Sequence, residues 1–543
     1  MPITQKLKYK INIKNKNKHK NKQNTYSRDI CNLSTNLIQS YSNKLLFTQY
    51  NKHISTNINK FANNQTLLLN KIFNTKNTSN FTLSYKEIIL DDTNKIPPFL
   101  EIFKYLLSKS AFITKFTLDE QKLLQSNLLQ NHTKEFCYNF LENSHLGEKI
   151  LNYYYSMSIN LKTELSAKYP SINFHSLLIN SFTSFKIIED LEFKIKKLIS
   201  FSIEWKGKKI DNLVYMFMYE NLLVKYHKKL DNIGNEIIKR ILFFNEFLNI
   251  DKLPNKFIIF LTDKKKEIDD YVISHIHFKT INVNTAVTNG QDIIIYREQE
   301  LLKSIFHELI HFHNLDFRHI PDTIIQYLIK THNIKSDNKY LLYECVTEAL
   351  ANILNNIFLS SNIKEFINNL QTETLFSTLQ VAKILNICKY KSWDEFSNLD
   401  NSRININNIQ MTNIQMTNNI SNPKKQFKQD SCIMSYYILK YYIMMNLDIY
   451  FKTCLDTKLK FIQTTESFNN LIHIFDLARK QSIIMNMMNN LLNSLSKTNK
   501  SSNKSSKISN KIGSNKTITI KNKISKTLRM TCLESNLFNK NSI

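Results

Sequence analysis

The stretch Ile293–His319, IIIYREQELLKSIFHELIHFHNLDFRH, places two histidines four residues apart with a glutamate directly after the first: His307, Glu308 and His311. Residues four apart on an α-helix share a face about one turn from each other, so both imidazoles can be directed at one ion. Glu308 sits one residue on, close to that face without being forced to ligate. In such sites the glutamate polarises a metal-bound water and carries its proton to the leaving amine, while zinc lowers the pKa of that water. Leu301, Leu302, Ile305, Phe306, Leu309, Ile310 and Phe312 surround the polar triplet, which predicts a buried helix. Two imidazoles and a carboxylate held indoors without partners carry a heavy desolvation cost, and a metal ion removes it. The competing reading is a helix whose histidines bond to their neighbours; it is disfavoured because buried charge is rare unless paired or metal-bound.

A catalytic zinc needs a third protein ligand and one open position. The HExxHxxGxxH extension fails, since Asn314 stands at the glycine position and Phe317 at the last ligand position; His313 and His319 lack the spacing. A glutamate on a later helix is the alternative, and YECVTEALANIL, Tyr343 to Leu354, offers Glu344 and Glu348.

TEALAN resembles the glutamate-bearing helix of thermolysin-like zinc peptidases, the gluzincins. The resemblance implies Glu348 as the metal ligand, Ala349 and Ala351 as small residues that let the helices approach, and Asn352 as the group that orients a zinc-bound histidine. Asparagine there departs from the acid of that pattern. The other register therefore stays open, with Glu344 as the ligand and Glu348, four residues on, as the orienting acid. A wider stretch, LTDKKKEI, IIIYREQE, HELIHFHNLDF, ECVTEALANIL and SYYILKYY, is similar to metallopeptidase-like proteins of giant DNA viruses. That similarity implies a zincin-like fold, a zinc cofactor, a peptide or protein substrate, and Tyr436 and Tyr437 as candidates to stabilise a developing oxyanion. It also implies a location in a host cytoplasm or a virion.

Around this segment the 543-residue chain is long enough for two or three domains. The expected class is α+β: a mostly helical N-terminal region over 27–185, then a zincin-like catalytic domain over 186–495 with a small sheet and the HExxH helix. FKIKKLISFSIEWKGKKI reads as short strands, NEIIKRILFFNEFLN as a helix and NKFIIFLTD as a strand. Asn289-Gly290 reads as a turn before an apolar strand, Ile293 to Tyr296, at the edge of the cleft. The Asn-rich stretch 397–430, with its tandem NIQMT repeat, reads as a low-complexity insertion.

The net charge of +28 resides mostly at the ends. Eight lysines precede residue 27 without an acid, and nine lysines and one arginine lie between Lys497 and Arg529, again without an acid. Residues 1–26 and 496–543 are expected as disordered basic tails, able to contact nucleic acid or other polyanions. Five glycines in the whole chain argue against phosphate-cradling loops. The seven cysteines stand singly, without a CxxC pair, which fits reduced thiols in the cytoplasm. No secretory apolar core opens the chain. Its longest apolar run, CIMSYYILKYYIMM, carries Lys440 and is too short to cross a membrane. The rival to an enzyme is a catalytically inactive structural or virion-associated protein whose basic tails bind nucleic acid.

Overall fold

The computed structural model describes residues 29–78, 80–89, 195–219, 225–332, 341–398, 431–502 and 526–535, together with short pieces at 9–11, 26–27 and 428–429, parts of 104–150, and residue 537. Most of the insertion (399–427), most of the N-terminal tail and residues 503–525 lie outside the described residues.

Seven strands form one sheet: Tyr9–Ile11 (β1), Phe81–Ile89 (β2), Ile195–Trp205 (β3), Lys208–Tyr219 (β4), Lys256–Leu261 (β5), Ala286–Thr288 (β6) and Asp292–Ile295 (β7). Their spatial order is β1-β2-β3-β4-β5-β7-β6. The first four strands are antiparallel, β4–β5 and β5–β7 are parallel, and β6 returns antiparallel to β7. Lys206 and Gly207 both take positive φ, 49° and 71°, so a two-residue turn whose twist matches the strands joins β3 to β4. The stretch expected to give short strands thus forms a long hairpin.

Helices cover the sheet and pack beyond it. Asp29–Tyr41 (α1), Lys44–Asn64 (α2) and Thr66–Thr78 (α3) open the chain, and Leu230–Leu248 (α4) supplies the crossover that parallel β4 and β5 require. Leu301–Phe312 (α5) follows β7 directly and carries the HExxH residues; Tyr343–Leu359 (α6) packs against it, and Ile363–Ile387 (α7) comes next. The apolar run is buried, as expected: Met434–Leu439 forms a π-helical stretch that continues into Lys440–Met445 (α8), before Thr465–Lys480 (α9) and Ser482–Ser502 (α10). The architecture is α+β. Among the described residues, no helix is long and apolar enough to cross a membrane.

Contacts run across two of the boundaries expected from the sequence. A boundary at 185/186 does not divide the packing, because β2 pairs with β3 from Phe81↔Trp205 to Ile89↔Lys197 and one continuous core runs from Leu37 to Met530. The N-terminal helices close that core: the Tyr50 hydroxyl lies 2.7 Å from that of Tyr441 and 2.9 Å from Thr378 Oγ1. The C-terminal stretch is likewise not all tail. Helix α10 runs on to Ser502, and Lys526–Ser535 threads through the interior with Leu528, Arg529 and Met530 each no more than 3% exposed. Cys532 is joined to Cys31 of α1 by a disulfide, so that pair is not the pair of reduced thiols expected from the sequence.

Candidate metal centre

Helix α5 starts at a sharp bend. Glu300, at φ 62°, turns the chain out of β7, and the next twelve residues form a helix buried along almost its whole circumference. It ends where Asn314 takes φ 52°, a left-handed position that glycine often fills after a helix and that asparagine tolerates. Helix α6 crosses α5 with Glu344 and Glu348 on the contact face, 7% and 0% exposed.

His307, His311 and Glu344 converge there. The two Nε2 atoms are 3.2 Å apart, and Glu344 Oε2 lies 3.1 Å from His307 Nε2 and 3.4 Å from His311 Nε2. An ion about 2.0–2.1 Å from each of three tetrahedral ligands holds those ligands roughly 3.3 Å from one another. The spacing fits a first-row divalent ion. Glu344 Oε2 is also buried with no hydrogen-bond donor properly aimed at it, as a group reserved for a cation would be.

The far nitrogen of each histidine is held by a carboxylate. His307 Nδ1 lies 3.0 Å from Glu348 Oε2, and His311 Nδ1 lies 2.7 Å from Asp316 Oδ2. If each Nδ1–H donates, the Nε2 lone pairs face the cluster, the tautomer a metal needs. Burial alone would raise the Glu344 carboxyl, but the neighbouring imidazoles outweigh it and hold the group below the ordinary carboxylate range. Burial alone would lower His311, yet Glu344 and Asp316 raise it well above its usual value. Both shifts draw positive charge into the cluster.

Of the two registers left open by the sequence, the geometry favours the one with Glu344 at the cluster. Glu348, the ligand implied by the resemblance, is occupied: Lys303 Nζ donates to its two oxygens at 2.7 and 2.8 Å, and His307 Nδ1 takes its remaining face. Glu344 stands at the three-atom cluster instead. Asn352, expected to orient a histidine, donates its Nδ2 to Met530 O at 3.2 Å. His313 packs beside Phe244 away from the cluster, and burial pushes its imidazole down to about 4.

Glu308 faces a narrow cleft bounded by His307, Glu348, Tyr436, Ala286 and Met530. Burial raises its carboxyl, with the two imidazoles opposing, which moves it toward the range of a useful general base. The cleft encloses about 20 Å³, room for one or two waters. Of the two tyrosines, Tyr436 lines this cleft with its ring 6.0 Å from that of His307. Tyr437 turns away and donates its hydroxyl to Leu528 O. The strand beside the cleft also differs from expectation: Ile293–Ile295 lies between β5 and β6, and β6 is the terminal strand.

Lys303 and Asp316 were not picked out from the sequence. Asp316 had a signal, an acid between Leu315 and Phe317 five residues after His311. Lys303 shares a helix face with His307 one turn away, yet its partner is 45 residues distant, and no local pattern announces that. Comparison of the chain with protein-family models, curated proteins and solved structures finds no match.

Proposed function

We propose that the protein is a zinc-dependent metallopeptidase of gluzincin-like, zincin type. The observation that carries this reading is the convergence of His307 Nε2, His311 Nε2 and Glu344 Oε2 at tetrahedral-edge spacing, with Glu308 beside them in the cleft. Zinc bound by those three atoms would keep one position open, acidify a water there and polarise a carbonyl. Glu308 would take the proton from that water and pass it to the leaving nitrogen. Tyr436, held against His307, would donate a hydrogen bond to the developing oxyanion. Terminal strand β6 would seat an extended peptide by strand addition.

The rival reading is a catalytically inactive protein with a structural metal, and the narrowness of the cleft favours it. One experiment separates the two. Elemental analysis of purified protein should find about one zinc per chain in the wild type and in Glu308→Gln. Hydrolysis of a peptide library should fall by roughly 10²–10⁴-fold in the variant, the loss typical of a missing acid–base group. Zinc without any hydrolysis in the wild type, even after the cleft is opened, would establish the structural reading.

A further inference from the structure

The segment Lys526–Ser535 is held in an unusual way for a permanent part of a core. Its main chain is gripped by buried polar side chains. Glu300 Oε1 accepts the N–H groups of Met530 and Thr531 at 2.6 and 2.7 Å, and Glu373 Oε2 accepts that of Cys532 at 3.1 Å. Lys440 donates to Met530 O at 2.9 Å, and Gln380 donates to Arg529 O at 2.8 Å. Upstream, the segment adds antiparallel to residues 266–268, with Ile268 N donating to Lys526 O at 2.6 Å and Leu528 N to Lys266 O at 2.8 Å. Contacts of this kind recognise a peptide backbone in extended form and are indifferent to most side chains.

The path passes the cleft that His307 and Glu308 face. Met530 forms part of its wall, and its Sδ lies 3.7 Å from Lys303 Nζ, the cation that holds Glu348. The walls along the path include Glu300, Lys303, Glu373 and Lys440, each no more than 3% exposed. An apolar groove emptied of its segment would collapse. A channel walled by charges would fill with water and stay open, because water satisfies the groups that the segment satisfied.

We propose that this path is a peptide-binding channel running past the metal centre, and that residues 526–535 are its resident occupant, a built-in peptide whose Met530 covers the cleft until the segment withdraws. That a substrate peptide follows the same path rests on the metallopeptidase reading; the occupancy itself does not.

The test uses the full chain carrying Cys532→Ser, which removes the tether to Cys31, and a protease recognition sequence inserted between Ser502 and Lys526. After cleavage and removal of the released fragment, a fluorescent synthetic peptide of residues 526–535 should bind saturably by anisotropy, while circular dichroism shows the remaining chain folded. Transfer of zinc from the protein to a chromogenic chelator should accelerate at least tenfold on cleavage and slow again when the peptide is added. In the uncut chain, Met530→Ala should speed the same transfer several-fold with the fold intact. Unfolding on loss of the fragment, absence of peptide rebinding, or an unchanged transfer rate in Met530→Ala would each overturn the proposal. A chain that binds no zinc leaves the anisotropy measurement intact, so the occupancy and the metallopeptidase reading fail separately.

Discussion

Two buried polar regions meet at Glu348. On one side, His307, His311 and Glu344 aim three donor atoms at a common point. On the other, Lys266 pairs with Glu300 at 2.6 Å, Lys303 with Glu348 at 2.7 Å, and Arg529 with Glu534. Burial would raise the Glu300 carboxyl, yet Lys266, Lys303 and Arg529 bring it down to about 2. The second region is electrostatically closed along these three pairs, since each charge in them has its counter-charge inside the protein. The first is open, because among the described residues no lysine or arginine pairs with its carboxylate, and with both Nε2 atoms unprotonated its three donor atoms are complementary to a cation. Buried charge alone does not mark a site; convergence without an internal counter-ion does.

The largest effect expected from this contrast is loss of the metal. Glu344→Gln removes the charged ligand, so zinc should drop from about one per chain to near none on elemental analysis, while Glu348→Gln should retain it. The reverse outcome would restore the register implied by the gluzincin resemblance.

Next in size is a stability effect on the closed side. Lys303→Met strands Glu348 as a buried carboxylate without its cation, and breaking a buried pair in this way costs about 3–5 kcal/mol. Denaturant unfolding of the metal-free variant should show that loss, and Lys303→Met/Glu348→Met together should recover most of it. A loss below about 1 kcal/mol would mean that the network is not closed by this pair.

The closed region should also respond to pH. Burial pushes the Glu373 carboxyl up to about 7 from 4.5, with Lys440, the Cys532 N–H and Thr531 opposing and Glu300 adding to the rise. The folded chain then binds this proton more tightly than the unfolded chain does. Its contribution is fully present below pH 4.5 and is lost as pH rises through about 7, an effect of about 3 kcal/mol at roughly 1.4 kcal/mol per unit. Glu373→Gln should flatten that part of the stability profile between pH 5 and 7 on the same order-of-magnitude estimate. An unchanged profile would assign the dependence to other groups.

The difference between the regions also explains what could be read from the chain. HExxH was legible because its geometry is local: four residues make one helical turn whatever the rest of the fold does. Strands β5 and β7 and helix α4 were legible from apolar runs and turn residues for the same reason. The choice between Glu344 and Glu348 was not, because both lie on one face of α6 and the decision rests with Lys303 on another helix. The strand β2 lay inside a region read as helical, although Phe81, Leu83 and Tyr85 alternate with polar residues. TLRMTCLES, Thr527 to Ser535, was hidden by the lysine-rich composition before it. Its alternation of Leu528, Met530 and Cys532 with Arg529 and Thr531 is the period of an extended segment, and that was the available signal.

The smallest predicted effect concerns the two carboxylates that hold the imidazoles, and it tests whether the open region is held rigid independently of the closed one. Asp316 Oδ2 lies 2.7 Å from His311 Nδ1, and among the described residues no lysine or arginine pairs with it. Asp316→Asn keeps the shape but gives up the charge, and its amide can turn to offer an N–H to Nδ1, which favours the tautomer whose Nε2 is protonated and cannot bind metal. Removing such an orienting carboxylate typically lowers metal affinity by about 10–100-fold. Competition against a chelator of known affinity should show that drop, with stability of the metal-free chain changed by only about 1 kcal/mol because His311 keeps Glu344 beside its Nε2, at 3.4 Å. Glu348→Gln should lower affinity by a similar factor but cost distinctly more stability, since Lys303 is then left unpaired. Equal stability losses in the two variants would mean that the open and closed regions are one network, and the contrast drawn between them would have to be abandoned.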